Sequence, residues 1–406
     1  MCNAIAEQTP RGLRYHIVLA GRRNVGKSSL INLLTEQQVS IVSNTLGTTT
    51  DTVAKAYELL PLGPVSLFDT AGLDDEGELG LQRVEASMRV IARADMLMYV
   101  VDNLGLTTLD KQHILQYQAL AIPLLVIFNK QDLGAISEQD SHWCQQQQLP
   151  LLAMTTSHSA RRELLCQALF DLAPKELKAD LVLAGDHYHA GDTIICVAPI
   201  DSAAPKGRLI LPQVQILREA LDKHAIAMVC QTEQLSQTLA QCVTPPKLVI
   251  TDAQAIKQVA AIVPDDIALT TFSTLFARAK GDLAPMVSGA NALDSLQDGD
   301  KILIAEACSH NVQEDDIGRD KLPKLISQYS RKQLEFEVVA GHDFPANLKQ
   351  YALVLHCGAC MFNRAEMLRR IRECQMAQVP MCNYGIALAK LQGVLARIST
   401  PLLAAK

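Results

Sequence analysis

Residues 15–34 read Tyr15-His16-Ile17-Val18-Leu19-Ala20, then Gly21-Arg22-Arg23-Asn24-Val25-Gly26-Lys27-Ser28, then Ser29-Leu30-Ile31-Asn32-Leu33-Leu34. A short apolar run meets a helical pattern across a glycine-bounded turn, and the turn matches GxxxxGK[ST] in the strand-to-helix context that gives the match meaning. Glycines let backbone N–H groups close around phosphate oxygens, and the helix N-terminus adds positive potential. Lys27 supplies a point charge for the β- and γ-phosphates, and the Ser28 hydroxyl can bind Mg²⁺. Gly21, Asn24, Val25, Gly26, Lys27, Ser28 and Ser29 are therefore the expected phosphate-binding segment.

Three further elements follow in order. Asp69-Thr70-Ala71-Gly72 closes the apolar run VSLFD, where Asp69 can hold a water on Mg²⁺ and the Gly72 amide can meet a γ-phosphate. Asn129-Lys130-Gln131-Asp132 closes the run LLVIFNK as an NKxD motif. A carboxylate at Asp132 accepts from N1–H and the 2-amino group of guanine, a donor pair adenine lacks, so GTP is favoured over ATP. Between the glycine-rich turn and Asp69 lies the hydroxyl-rich Ser43-Asn44-Thr45-Leu46-Gly47-Thr48-Thr49-Thr50-Asp51, placed like a switch loop.

The segments GRRNVGKSSLINLL and GTTTD resemble the translation-factor-like G domains, most closely their Era/TrmE branch, over about residues 15–170. The resemblance implies Mg²⁺ binding by Thr49, with Thr48 as the alternative, and a catalytic set of Lys27, Thr49 and Gly72. Leu73 stands where Ras-like proteins carry a water-orienting Gln, so slow hydrolysis is expected unless another element assists. In this branch a K⁺ ion, held by an Asn at the position of Asn24, can replace an arginine finger. The acidic run Asp74, Asp75, Glu76 and Glu78 offers either a water-orienting group or a solvated charged loop. Thr155-Thr156-Ser157 stands where the branch has a base-contacting SAK motif, and departs from it.

Working outward, YHIVLAG, VSLFDT, MLMYVVD, LLVIFNK and LLAMTT alternate with helical patterns, as in a mostly parallel α/β sheet. The expected architecture is α/β, a P-loop GTPase domain at 1–172 followed by two smaller α/β domains at 173–262 and 263–406. In the middle block, DTIICVAPI, AIAMVC and KLVITD read as strands. PQVQILREALDKH reads as an amphipathic helix with Val214, Leu217, Leu221 and His224 in register. No internal repeat of fixed period is evident. His187 and His189 of DHYHAGD read as a loop HxH, with Asp186 and Asp192 as turn residues.

The chain of 406 residues carries a net charge of −6 and a single Trp, so neither a basic field nor aromatic stacking platforms invite nucleic acid. No stretch approaches about 18 uncharged apolar residues, and no secretory leader is recognisable, so a cytoplasmic chain without membrane attachment is expected. Eleven Cys in such a reducing setting read as buried thiols, metal ligands or catalytic groups. Cys2, Cys144, Cys166, Cys196, Cys230 and Cys242 are scattered and fit burial. Cys374 lies in a helical pattern, and Cys382 in PMCNY also fits packing. Ala307-Cys308-Ser309-His310 and His356-Cys357-Gly358-Ala359-Cys360, by contrast, each follow a strand-like run. If those strands are neighbours, three thiols and two imidazoles converge, as a cluster or a zinc site requires.

The pattern CxH…HCxxC behind such a G domain resembles the HydF family of FeFe-hydrogenase maturation GTPases, over essentially the whole chain. The resemblance implies a GTPase domain, a dimerisation domain and a cluster domain. It implies a 4Fe-4S cluster on Cys308, Cys357 and Cys360, with His310 or His356 as the labile fourth ligand. It also implies a transient diiron unit delivered to apo-FeFe-hydrogenase, radical-SAM maturases as partners, and a homodimer formed by joined sheet edges. The alternative is a tRNA- or ribosome-associated GTPase of the Era/TrmE type with a structural zinc site.

Overall fold

A computed structural model describes residues 11–35, 54–60, 62–70, 78–156, 160–174, 182–200, 209–307, 317–341, 344–345, 347–358 and 362–403. The chain divides into two compact units, Met1–Asp180 and Leu181–Lys406. The N-terminal unit is a six-stranded sheet in the order β2-β3-β1-β4-β5-β6. Its strands are β1 (Tyr15–Ala20), β2 (Ala54–Leu59), β3 (Gly63–Asp69), β4 (Met96–Val101), β5 (Leu124–Phe128) and β6 (Leu151–Ala153). All pairings are parallel except β2 with β3. The five apolar runs form strands because both faces of a parallel sheet are covered, so every position can be apolar. Along β1, Ile17 and Leu19 enter one core layer while Val18 and Ala20 enter the other. β2 has no such run: AKAYEL carries Lys55 and Glu58, buries Tyr57 and Leu59, and takes the antiparallel edge, where a strand needs only one apolar face. Helix α1 (Lys27–Thr35) follows β1 directly and places Lys27 and Ser28 in its first turn.

The C-terminal unit holds two four-stranded parallel sheets. The first comprises β7 (Thr193–Val197), β8 (Ile226–Cys230), β9 (Leu248–Thr251) and β10 (Ala268–Thr271), in the order β10-β9-β7-β8. The second comprises β11 (Lys301–Ala305), β12 (Glu335–Val339), β13 (Leu353–His356) and β14 (Met381–Asn383), in the order β12-β11-β13-β14. With β7 matched to β11 and onward in sequence, the two orders are identical, so the unit is an internal repeat. Gly191 and Gly299 turn the chain at φ 83° and 85° just before the first strand of each copy. The next residue, Asp192 or Asp300, accepts a backbone N–H from His189 or Gln297 at 2.8 and 2.7 Å. The following helices, Leu211–Asp222 and Leu322–Ser330, each carry Pro in the first turn. Thr271 and Asn383 end the fourth strands and cap the next helices. The likeness is confined to turn and cap positions with unequal spacing between them, which is why no fixed period is visible in the sequence.

One buried core runs through both copies, from Leu183 to Leu402. The first copy takes its last strand from Ala268–Thr271, so its sheet extends past residue 262. Helix Leu211–Asp222 buries Gln213, Ile216 and Ala220, while Val214 and Leu221 are exposed and His224 lies beyond its end. The apolar row read from the sequence thus lies beside the core face, and of its residues Leu217 packs against the core. Cys374 and Cys382 are packed in the core, and burial pushes both thiols up to about 12. In DHYHAGD, Asp186 pairs with Arg278 and Asp192 closes a turn, while His189 is exposed.

Candidate functional site

Around the glycine-rich turn, local backbone geometry sets the position of each side chain. Gly21 and Gly26 have φ of 139° and 99°, and Asn24 is held at 58° in the left-handed region. A Cβ at Gly21 would overlap the Val100 carbonyl, and one at Gly26 the Asn129 amide, so only glycine fits either place. Lys27 is buried, with Nζ donating to the Gly21 and Arg22 carbonyls at 2.9 and 2.8 Å. Ser28 Oγ donates to Asp69 Oδ2 at 2.6 Å. Burial raises the Asp69 carboxyl above its usual range, against the lowering effect of Ser28 and Lys27. Asp69 Oδ1 is buried without a partner among the described residues, next to the hydroxyl expected to bind Mg²⁺. An oxygen pair with one orphaned member fits a hard divalent cation, with water completing its shell.

The NKxD loop is tied to the same turn. Asn129 Nδ2 donates to the Val25 carbonyl at 2.9 Å, and Lys130 Nζ donates to the Asn24 carbonyl at 2.6 Å. Asn129 Oδ1 is buried with no partner among the described residues. Asp132 is exposed, and its Oδ1 accepts from Thr155 Oγ1 at 2.7 Å. Although TTS departs from SAK, its first hydroxyl therefore holds the carboxylate expected to read the base. Arg22, not singled out from the sequence, bridges Asp102 at 3.3 Å and Asp110 at 3.1 Å, bracing the turn against the loop after β4. Thr48, Thr49, Gly72, Leu73 and Asp74–Glu76 lie outside the described residues.

The second candidate lies at the C-terminal ends of β11 and β13. These strands are parallel neighbours, and Ala305 is opposite His356. In each copy of the repeat the chain reverses its winding between the first and third strands, and α/β sheets collect ligands at such a point. Cys357 N donates to the Ala305 carbonyl at 2.9 Å, and Ala307 N donates to Cys357 Sγ at 3.0 Å. The residue before Cys308 thus touches the Cys357 sulfur. Cys308, His310 and Cys360 lie outside the described residues. Among the described residues no group of three or more His, Cys, Asp or Glu forms a metal site. The Cys357 thiol, a soft donor at a strand end that adjoins the end of β11, fits a thiolate-held cluster.

His356 is differently placed from an open ligand. It is fully buried, its Nδ1 donates to the Cys357 carbonyl at 2.8 Å, and Nε2 accepts from Arg370 Nη1 at 3.1 Å. Burial, and then the Arg370 charge, push its pKa down to about 3. Both ring nitrogens are engaged, so ligation of iron would require the Arg370 bond to break. Arg370 and its partner Glu366 were missed from the sequence: they lie in the helical pattern RAEMLRRIRE, from which neither was singled out.

Residues 16–130 match the family described as 50S ribosome-binding GTPase. Residues 183–281 match the Hydrogen maturase F dimerization domain, and residues 284–401 its tetramerization domain. The tRNA modification GTPase MnmE of Chromobacterium violaceum is 39% identical over 132 residues, 31% of this chain and 29% of that protein. GTPase Der of Campylobacter fetus is 31% identical over 166 residues, 40% of this chain and 36% of that protein. The chain thus spans little more than a third of the length of these curated relatives at most. Among solved structures, Aquifex aeolicus Era bound to GDP and aluminium fluoride aligns with a TM-score of 0.34 and 18% identity, covering 53% of this chain and 91% of that one.

Proposed function

The chain belongs to the hydrogen maturase F family, and on that premise we propose that it is a GTP-binding and hydrolysing scaffold of FeFe-hydrogenase maturation. In this reading it holds a 4Fe-4S cluster on Cys308, Cys357 and Cys360 and delivers a diiron precursor to apo-hydrogenase. The observation that carries it is the contact of Ala307 N, one residue before Cys308 in sequence, with Cys357 Sγ at 3.0 Å across a winding reversal. The cluster would supply an iron corner without strong protein ligation, which cargo exchange requires. Between the candidate fourth ligands, His310 is favoured, because both His356 nitrogens have partners.

GTP with Mg²⁺ on Ser28, Thr49 and Asp69 would act as the switch, since the G domain supplies conformational change rather than redox chemistry. The working domains are a GTPase domain, a dimerisation domain and a cluster domain, with the second boundary placed between Lys280 and Leu283 to keep the first repeat whole. Strand β8 favours a homodimer, because it is an edge strand with exposed Ile226 and Val229. Among the described residues no helix is long and apolar enough to cross a membrane, and a cytoplasmic site of action is proposed. Radical-SAM maturases are the proposed source of the diiron cargo. The test is anaerobic transfer with full-length protein. Loaded wild type should activate apo-hydrogenase and Cys357→Ser should not; activation by the variant would remove the assigned ligand.

A further inference from the structure

The cysteine loop after β13 rests on an unusual buried cation. Arg370 belongs to the helix Arg364–Ala377 and is fully buried, though its guanidinium cannot shed its charge at any accessible pH. Its guanidinium carbon lies 4.4 Å from the Phe362 ring centre and 4.7 Å from that of Phe344, so it is flanked by two aromatic rings. Nε donates to Glu366 Oε1 at 3.0 Å, Nη2 to the Gly341 carbonyl at 2.8 Å, and Nη1 to His356 Nε2 at 3.1 Å. Phe362 also packs edge-on to His356, at 5.8 Å between ring centres. Beneath the same loop, buried Lys280 donates to the Phe362 carbonyl at 3.0 Å.

Glu366 is the buried anion, but it is shared between Arg369 at 2.8 Å and Arg370 at 3.0 Å. Arg369 has a second partner, Glu373, at 2.5 Å. Arg370 is coupled electrostatically to Cys357. Burying a cation costs several kcal/mol unless its surroundings compensate it, and core packing alone does not require one here.

We infer that Arg370 is a positioning residue for the iron–sulfur cluster: it fixes the His356–Cys357 corner and holds positive charge beneath the cluster loop. This rests on the cluster reading proposed above. A thiolate-ligated cluster gains negative charge on reduction, and its potential responds to nearby charge and to hydrogen bonds at sulfur. Arg370 supplies the charge, and Ala307 N–H supplies the bond to Cys357 Sγ. The guanidinium does not ligate iron.

The test uses full-length protein reconstituted anaerobically with ferrous iron and sulfide, read by an EPR-monitored redox titration. Arg370→Met should shift the cluster potential to more negative values, and Arg370→Lys should shift it less. Glu366→Gln removes the compensating anion and should shift the potential the opposite way, which loss of packing alone would not do. An unmoved potential in Arg370→Met, or a negative shift in Glu366→Gln, overturns the inference. If circular dichroism shows Arg370→Met unfolded, the Arg370→Lys and Glu366→Gln shifts decide by the same signs. Wild type that takes up no iron and sulfide overturns the cluster reading and this inference with it. Loaded wild type with unmoved variants overturns this inference alone.

Discussion

At the scale of single residues, guanine recognition is expected to depend on Asp132 and on the Thr155 hydroxyl bonded to it. Asp132→Asn should weaken GTP binding by roughly a hundredfold or more, since a site built to accept two donors then presents a mismatched amide. Thr155→Val removes one hydrogen bond to that carboxylate, a net loss of about 0.5–1.5 kcal/mol, and should raise KM for GTP roughly 2- to 10-fold with little change in kcat. Steady-state GTP turnover checks both, and an unchanged KM in Thr155→Val would deny the hydroxyl its role. Asn24, held left-handed within the phosphate-binding turn, is the proposed holder of a monovalent cation. Turnover should be several-fold faster in K⁺ than in Na⁺, and Asn24→Ala should erase that difference. The NKxD residues were legible in the sequence because their chemistry needs those residue types in that order. Thr155 was obscured by a departure from SAK that preserves the hydroxyl. Arg370 was hidden for a physical reason: nothing in RAEMLRRIRE distinguishes a guanidinium between two phenyl rings from one in solvent.

Among elements, strand β8 carries the clearest unmet need. It is the edge of its sheet, and exposed Ile226 and Val229 are accompanied by exposed Val214 and Leu221 on the neighbouring helix. The double variant Ile226→Lys, Val229→Lys should shift the chain toward monomer in light scattering while far-UV dichroism stays unchanged. A full-size oligomer in that variant would place the interface elsewhere. Buried parallel strands were legible because a strand covered on both faces needs an unbroken apolar run, and such runs stand out between polar loops. β2 was not legible, since an antiparallel edge strand alternates weakly and reads as loop. Helix Leu211–Asp222 existed as expected, but its buried face did not: Gln213 sits in the core, bonded to Asp252 at 2.9 Å, while Val214 is exposed. Periodicity finds a helix more readily than it finds which stripe is covered, and a covered stripe on an oligomer looks like a core stripe.

For the whole molecule, the repeat changes what the C-terminal half is. Two copies of one topology share a continuous core, yet only the second copy carries cysteines at the ends of its first and third strands. In the first copy the positions that correspond to Cys308 and Cys357, counted from the strand ends, hold Ile200 and Asp252. The proposed cluster site and the exposed β8 edge therefore fall on different copies of one scaffold, in keeping with separate sites grafted onto a common fold. The repeat was not legible in the sequence, because turn glycines and helix caps recur at unequal intervals. The most direct measurement is metal and sulfide analysis of full-length protein reconstituted anaerobically with iron, sulfide and zinc all supplied. The prediction is roughly four iron and four acid-labile sulfide per chain, lost in Cys357→Ser; about one zinc per chain with no sulfide would contradict the cluster assignment and favour a structural zinc site.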